Sequence, residues 1–276
     1  MRTIKWMKTP KGYVTISLIT YLIIASIGYR TINGFRNAFI AVVAAFVIEF
    51  FYSRMTNRKS SKDGAVITGL IISLVLSITT SWAYVVGTAA IAILSKHLLV
   101  FKKKPIFNPA AIGLFVSVFI FHTGHSWWGA FGDLPSWLMM FLLIGGYIVT
   151  DRVNKFPQVF AFLGTFFVLL FFMGYFQVGD AADALRPPFI NATIFFGLFM
   201  LTDPPTSPAK YKNQILFGAI SAISGIVVYG MLGGLTYLFF GVFMGNLYNY
   251  LNKRSVMKAS ELKQQRVKNS QRALYK

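Results

Sequence analysis

The sequence predicts an all-α polytopic membrane protein, and three observations carry that prediction. Of 276 residues, 55% are apolar and only 13% are charged, whereas a soluble domain of this length carries more charge. The apolar residues fall in separate runs of roughly 15 to 20, the length that suits a membrane helix, and not in the alternating ten-residue segments of a barrel. The formal net charge is +19, yet the basic residues sit in short connections and at the chain ends. That placement marks membrane topology and argues against a nucleic-acid partner.

Ten spans follow in order: 13–29, 36–53, 64–80, 83–99, 108–122, 136–150, 158–176, 188–202, 215–230 and 234–251. With both termini on the cytoplasmic side of the plasma membrane, the inner segments hold Arg2, Lys5, Lys8 and Lys11, then Arg54, Arg58, Lys59 and Lys62. Lys96, Lys102 to Lys104, Arg152, Lys155, Lys210, Lys212 and the eight basic residues from Lys253 onward complete the set. Only Arg30, Arg36 and Arg186 remain outside, a division of 24 to 3 that supports the number and the orientation of spans. The basic start, Met1 to Lys11, leads into a run without a small-residue cleavage site and reads as a retained first helix.

The spans form one transmembrane domain, 1–251, with halves at about 13–122 and 136–251. A half with five spans must reverse its orientation, so the halves are expected as inverted repeats. The third and eighth spans, short and interrupted at corresponding places, point to a site between them. The tail, 252–276, mixes Lys, Arg, Gln and Ser, a composition that predicts a disordered or headgroup-bound segment.

There is no cysteine, which excludes disulfides, thiolate-held iron–sulfur clusters and Cys-based zinc sites in this chain. Any redox role therefore needs an organic cofactor or haem. No triad, P-loop, dinucleotide fingerprint or zinc spacing is visible, so neither catalysis by side chains alone nor a metal centre is expected.

Four polar clusters interrupt the apolar pattern. Phe199 to Pro208 ends an apolar run in Thr202, Asp203, Pro204, Pro205, Thr206, Ser207 and Pro208. Three prolines force an irregular backbone, which at membrane depth survives only where protein or a polar cavity satisfies it. Asp203 reads as the wall of a polar pocket, with a cap on the ninth span as the plainer alternative. Ser61 to Gly69 opens the third span; Asp63 is either a helix cap or, with Gly64, Thr68 and Gly69, part of a surface that a ligand ring approaches. Lys96 and His97 end the fourth span, where cations suit the helix dipole and also suit proton transfer or cofactor contact. In Phe107 to Gly113, Asn108 and Pro109 are a cap and a first helical residue, followed by a small-residue face for packing or for a ligand.

Two further features remain. Glu49, alone in the second span, is a candidate proton or ion site or a side chain reaching the cytoplasmic face. His122 and His125 flank Trp127 and Trp128 in an outer loop, a pattern that reads as interfacial aromatics ahead of a shared metal or haem.

Taken together, Asp63-Gly64-Ala65, Thr68-Gly69-Leu70, Lys96-His97, Phe107 to Gly113 and Thr202 to Pro208 followed by Gly218 resemble the NqrB/RnfD family. These are the flavin-carrying membrane subunits of sodium-pumping NADH:quinone reductase and of the Rnf ferredoxin:NAD complex. The resemblance covers about residues 40 to 250. It implies ten helices in two inverted halves, similar to urea and ammonium channels, a bilayer, and other subunits of a redox complex as partners. It also implies a flavin within the bundle, passing electrons with ion movement as the coupled process. The family's covalent FMN sits on a threonine in a Ser-Gly-Ala-Thr type motif. This shortened chain lacks that tetrapeptide, so the expected cofactor is a non-covalent riboflavin or FMN. The candidate contacts are Asp63, Gly64, Thr68, Gly69, Lys96, His97, Asn108, Pro109, Thr202, Asp203, Pro204, Thr206 and Ser207. A small-solute or flavin transporter on the same fold, and a flavin-free scaffold, are the alternatives.

Overall fold

A computed structural model of the protein describes residues 2–57 and 61–274. Arg58, Lys59 and Lys276, counted among the inner basic residues, lie outside the described residues. Ten helices take the places of the ten expected spans, preceded by the short α1 (Arg2–Met7). The first of them, α2 (Pro10–Gly28), begins where Thr9 accepts a hydrogen bond from the Gly12 amide at 3.1 Å and Pro10 fills the first position, a start that leaves few donors unsatisfied. It is followed by α3 (Asn33–Met55), α4 (Lys62–Val75) and α5 (Trp82–Leu98). A hairpin of β1 (Val100–Phe101) and β2 (Lys104–Pro105) then leads into α6 (Pro109–Phe121).

The second half contains α7 (Met139–Val153), α8 (Phe156–Tyr175), the short α9 (Ala181–Ala184), α10 (Phe189–Phe195), α11 (Tyr211–Leu232) and α12 (Tyr237–Leu274). Five segments, Pro10–Gly28, Asn33–Met55, Ser136–Val153, Phe156–Tyr175 and Tyr211–Leu232, are long and apolar enough to cross a membrane, and α5, α6 and Phe189–Met200 are shorter apolar helices. Neighbour relations repeat between halves. In the first, α2 packs on α4, α3 on α5, and α5 on α6; in the second, α7 packs on α10 and its extension, α8 on α11, and α11 on α12.

Both third members of the halves break early. The helix expected over 64–80 stops at Val75, and the one expected to reach 202 passes through a π-helical turn, Phe196–Met200, before losing regular structure. Carbonyls freed at the first break are met by the loop between α6 and α7. The Ser126 and Trp127 amides donate to Val75 at 3.0 and 3.1 Å, and the Trp128 indole donates to Ser73 at 2.7 Å. Asn37 of α3 donates to the Ile78 carbonyl at 3.2 Å. This corrects the reading of Trp127 and Trp128 as interfacial. They are 1% and 2% exposed, drawn inward because an unpaired backbone carbonyl inside the bundle costs more than burying an indole.

Small residues set the closest helix contacts. A Cβ on Gly69 would lie 2.7 Å from the Val42 Cα on α3, and one on Gly113 would lie 2.7 Å from the Thr88 carbonyl on α5. A Cβ on Gly218 would come closer still to the Gln158 carbonyl on α8. Gly69 thus admits a neighbouring helix where a ligand ring was expected. The basic tail also differs from the expectation of disorder. It continues α12 to Leu274, and its Lys, Arg, Gln, Glu, Ala and Leu are good helix formers.

Gly69→Ala is expected to lower the melting temperature of the detergent-purified protein by the equivalent of about 2 kcal/mol or more, because two backbones must separate. Gly164→Ala, where nothing lies within 4 Å of the added Cβ, serves as the control. Paired thermal melts with equal losses would show that the α3–α4 contact is not tight.

Candidate functional site

The irregular segment after Met200 is held by side chains from four helices and a connecting loop. Asn108, at the start of α6, donates from Nδ2 to the Met200 carbonyl at 3.0 Å while its Oδ1 caps α6 by accepting from the Ala111 amide at 3.1 Å. Its own amide donates to Asn246 Oδ1 at 2.9 Å. Gln158 of α8 donates to the Leu201 carbonyl at 2.6 Å. Asn246 and Asn249, on α12, both donate to the Thr206 carbonyl, at 3.2 and 2.6 Å. Lys155, before α8, donates to the Pro208 carbonyl, and Gln214 of α11 donates to that of Ala209 at 3.0 Å. Buried carbonyls freed by prolines are thereby paired one after another.

Within the segment, Thr206 Oγ1 donates to Asp203 Oδ2 at 2.8 Å, and Ser207 Oγ donates to the Asp203 carbonyl at 2.7 Å. Burial raises the pKa of Asp203, opposed by the Thr206 hydrogen bond and by the charges of Lys155, Lys96 and Lys11. Lys155 is 3% exposed. Burial pushes its pKa down from 10.5 to about 8, with Lys253 adding to the effect and Asp203 opposing it.

Asn108 and Asp203 border a cavity of about 450 Å³ that opens on the face carrying the basic loops. Gly64, Thr68, Lys96, Asn108, Pro109, Thr202, Asp203 and Pro204 line it, drawing together all four sequence clusters. Ile67, Ile71, Val14, Val149, Val153 and Phe199 supply its apolar surface. The wall is mostly aliphatic, with Phe199 its one aromatic residue. The rim adds Lys11, Lys103 and Lys104. None of these contributions from α2, α7 and the hairpin has a motif of its own, which is why sequence reading missed them.

Five expected contacts lie elsewhere. Gly69 packs on α3, as described, and Thr206 and Ser207 are buried within the irregular segment. Asp63 neither caps α4, whose N-cap is Ser61, nor faces the cavity. Its carboxylate accepts from the Trp6 indole at 3.2 Å and stands 4.0 Å from Lys11. His97 joins a buried ionic cluster. Glu49, 1% exposed, accepts from the Ser61 amide at 2.7 Å and from Lys96 at 3.0 Å, and its Oε2 lies 2.8 Å from His97 Nε2. The His97 ring stacks on Tyr52 with centroids 4.1 Å apart. Glu49 is therefore neither isolated nor reaching for water; it pins the ends of α3 and α5 to the start of α4. Lys96 belongs to both arrangements, held by Glu49 and facing the cavity.

Two broken spans, one closed by a loop and one bordering a cavity, define a polytopic α-helical membrane protein with a chamber at its second interrupted helix. The sequence matches the family described as NQR2, RnfD, RnfE over residues 3–139 and 123–260, and the chain belongs to that family. It is a membrane subunit of an Rnf/Nqr-type electron-transport complex, placed in a lipid bilayer with other subunits. No curated protein matches the sequence.

Lys155→Met removes the donor to Pro208 and is expected to destabilise the protein by about 1–3 kcal/mol. The folded pKa of Lys155, about 8, lies below its unfolded value of 10.5, so the unfolded chain binds more protons between those values. Wild-type stability relative to Lys155→Met should then rise by about 1–2 kcal/mol from pH 8 to pH 10. Melts of both proteins across that range check it; a constant difference would remove the titration from Lys155. Lys96→Met, which leaves Glu49 buried without its ammonium partner, should cost about 3–5 kcal/mol, and the double variant with Glu49→Gln should recover part of that loss.

Proposed function

We propose that the cavity holds a non-covalent flavin and that the subunit passes electrons through it, with the basic face and both termini on the cytoplasmic side of the plasma membrane. The observation that supports this most is the convergence of eight signature residues from both halves on one chamber of the size and apolar character usual for cofactor sites. A bound flavin would supply the one- and two-electron exchange that no side chain here provides.

The residues fit such a group. Thr68 and Thr202 donate their hydroxyl protons to the Gly64 and Leu198 carbonyls, at 2.8 and 2.7 Å, so toward the cavity they offer only lone pairs. Asp203 Oδ2 is taken by Thr206, which leaves Oδ1 as an acceptor. Asn108 spends one Nδ2 proton on Met200 and accepts from Ala111, which leaves its second Nδ2 proton as a donor. The other available donors are the Ser61 hydroxyl, Lys96 and the rim lysines. A Cβ on Gly64 would fall 2.8 Å from Ser61 Oγ and 3.6 Å from Lys96 Nζ, so glycine leaves that approach open. The matching ligand has an apolar ring with an N–H or hydroxyls to donate at one edge and an anionic tail at the other. A flavin with its imide N–H and a phosphate has these features, and the basic rim favours FMN over riboflavin.

The absorption spectrum of detergent-purified protein, taken before and after acid precipitation, should show a flavin band that passes into the supernatant. Asp203→Ala and Gly64→Leu should each lower flavin content without preventing membrane insertion. FMN should bind about tenfold or more tightly than riboflavin at low salt, with the ratio shrinking as salt screens the lysines. A colourless protein that takes up no added flavin would overturn the reading and leave transport or scaffolding.

A further inference from the structure

A second cavity, of about 510 Å³, lies beside the first on the same basic face. It is bounded by the β1–β2 hairpin, by the loop ending the proline-rich segment, and by α12 where that helix leaves the apolar stretch. Lys102, Lys104, Lys210 and Lys253 face it. Among the described residues, no carboxylate lies within salt-bridge reach of any of the four; the ion pairs are those of Asp63 and Glu49. Below the lysines the lining is apolar, with Phe101 and Tyr250 edge to face at 5.1 Å and Ile106, Val256 and Met257 beside them.

Two features make this more than a scatter of surface charge. The hairpin turn places Lys102 and Lys103 at φ of 50° and 65°, left-handed positions for which Asn and Gly are the easy residues. Lysine at both positions holds cations at the cavities where turn chemistry alone would choose otherwise. The level is also defined. Lys210 immediately precedes α11, and Lys253 follows the last apolar turn of α12, so both stand where apolar helix gives way to the headgroup region.

We infer that this cavity seats the headgroup of an anionic phospholipid, its phosphate among Lys102, Lys104, Lys210 and Lys253 and the start of its acyl chains against the apolar lining. A clustered set of cations without counter-charges is relieved by an anion. The apolar lining selects an amphiphile over a free inorganic ion. The inference does not depend on a flavin in the first cavity, because Lys210 and Lys253 line the second cavity only.

The test uses the full chain, purified in detergent and melted with added phosphatidylglycerol, phosphatidylcholine or FMN in separate arms. Phosphatidylglycerol should raise the melting temperature by about 5 °C more than phosphatidylcholine. The Lys210→Ala/Lys253→Ala variant should lose most of that difference, and Lys210→Arg/Lys253→Arg should keep it. Native mass spectrometry should likewise show about fivefold less phosphatidylglycerol retained by the alanine pair. Equal protection by the two lipids, undiminished protection of the alanine pair, or protection through these lysines by FMN alone would overturn the inference. Flavin retained by the alanine pair alongside lost lipid would separate this cavity from the first.

Discussion

The structure depends on satisfying a backbone that cannot satisfy itself. Between Leu198 and Ala209 the eighth span passes from a π-helical turn into a segment with three prolines, and the carbonyls of Met200, Leu201, Thr206 and Pro208 are freed among buried side chains. Each such group left unpaired would cost several kcal/mol by order of magnitude. Asn108, Lys155, Gln158, Gln214, Asn246 and Asn249 exist in this environment as donors first. Because they come from α6, the α7–α8 connection, α8, α11 and α12, pairing the segment also fixes those elements around it. The cavity is a consequence: a proline-bent chain held away from its neighbours by short polar side chains leaves space that apolar helices would have filled.

Charge is distributed by the same logic. Glu49 is tolerable because an amide, an ammonium and an imidazole meet it inside the bundle, and Asp203 because it faces lysines and a threonine hydroxyl. Glu49 thereby ties the ends of α3 and α5 to the start of α4, while Asp203 is held within its own segment by Thr206. Lys96 is the shared member. Its contact with Glu49 positions it, and its side chain edges the chamber, which couples the integrity of the ionic cluster to the electrostatics of the site.

The spans and the segments that would surround a site were legible in the sequence because both rest on local rules: apolar length for helices, and proline, asparagine and glycine for breaks. What resisted reading is what depends on contacts across the chain. Glu49 and Lys96 are 47 residues apart, and nothing in either neighbourhood announces the other. Trp127 and Trp128 follow two histidines in an apparent surface loop, and only the broken end of α4 explains their burial. Gly69 and Gly64 carry the same local signature, yet one meets a helix and the other a cavity. The tail misled for a different reason: a polar composition says that no core is buried, but not that the helix must end.

The two halves solve the same problem with different outcomes. In each, an amide from the second helix donates to the broken third span, Asn37 to Ile78 and Gln158 to Leu201, so the packing repeat extends to individual hydrogen bonds. At the first break the chain closes the gap with its own α6–α7 loop, and Trp127, Trp128 and Phe131 fill the space. At the second, the donors reach the carbonyls from behind and leave Thr202, Asp203 and Pro204 facing a chamber. Two equivalent interruptions therefore differ in what fills them. Aromatic side chains make one a solid plug, and acceptors with a lysine rim border the cavity at the other.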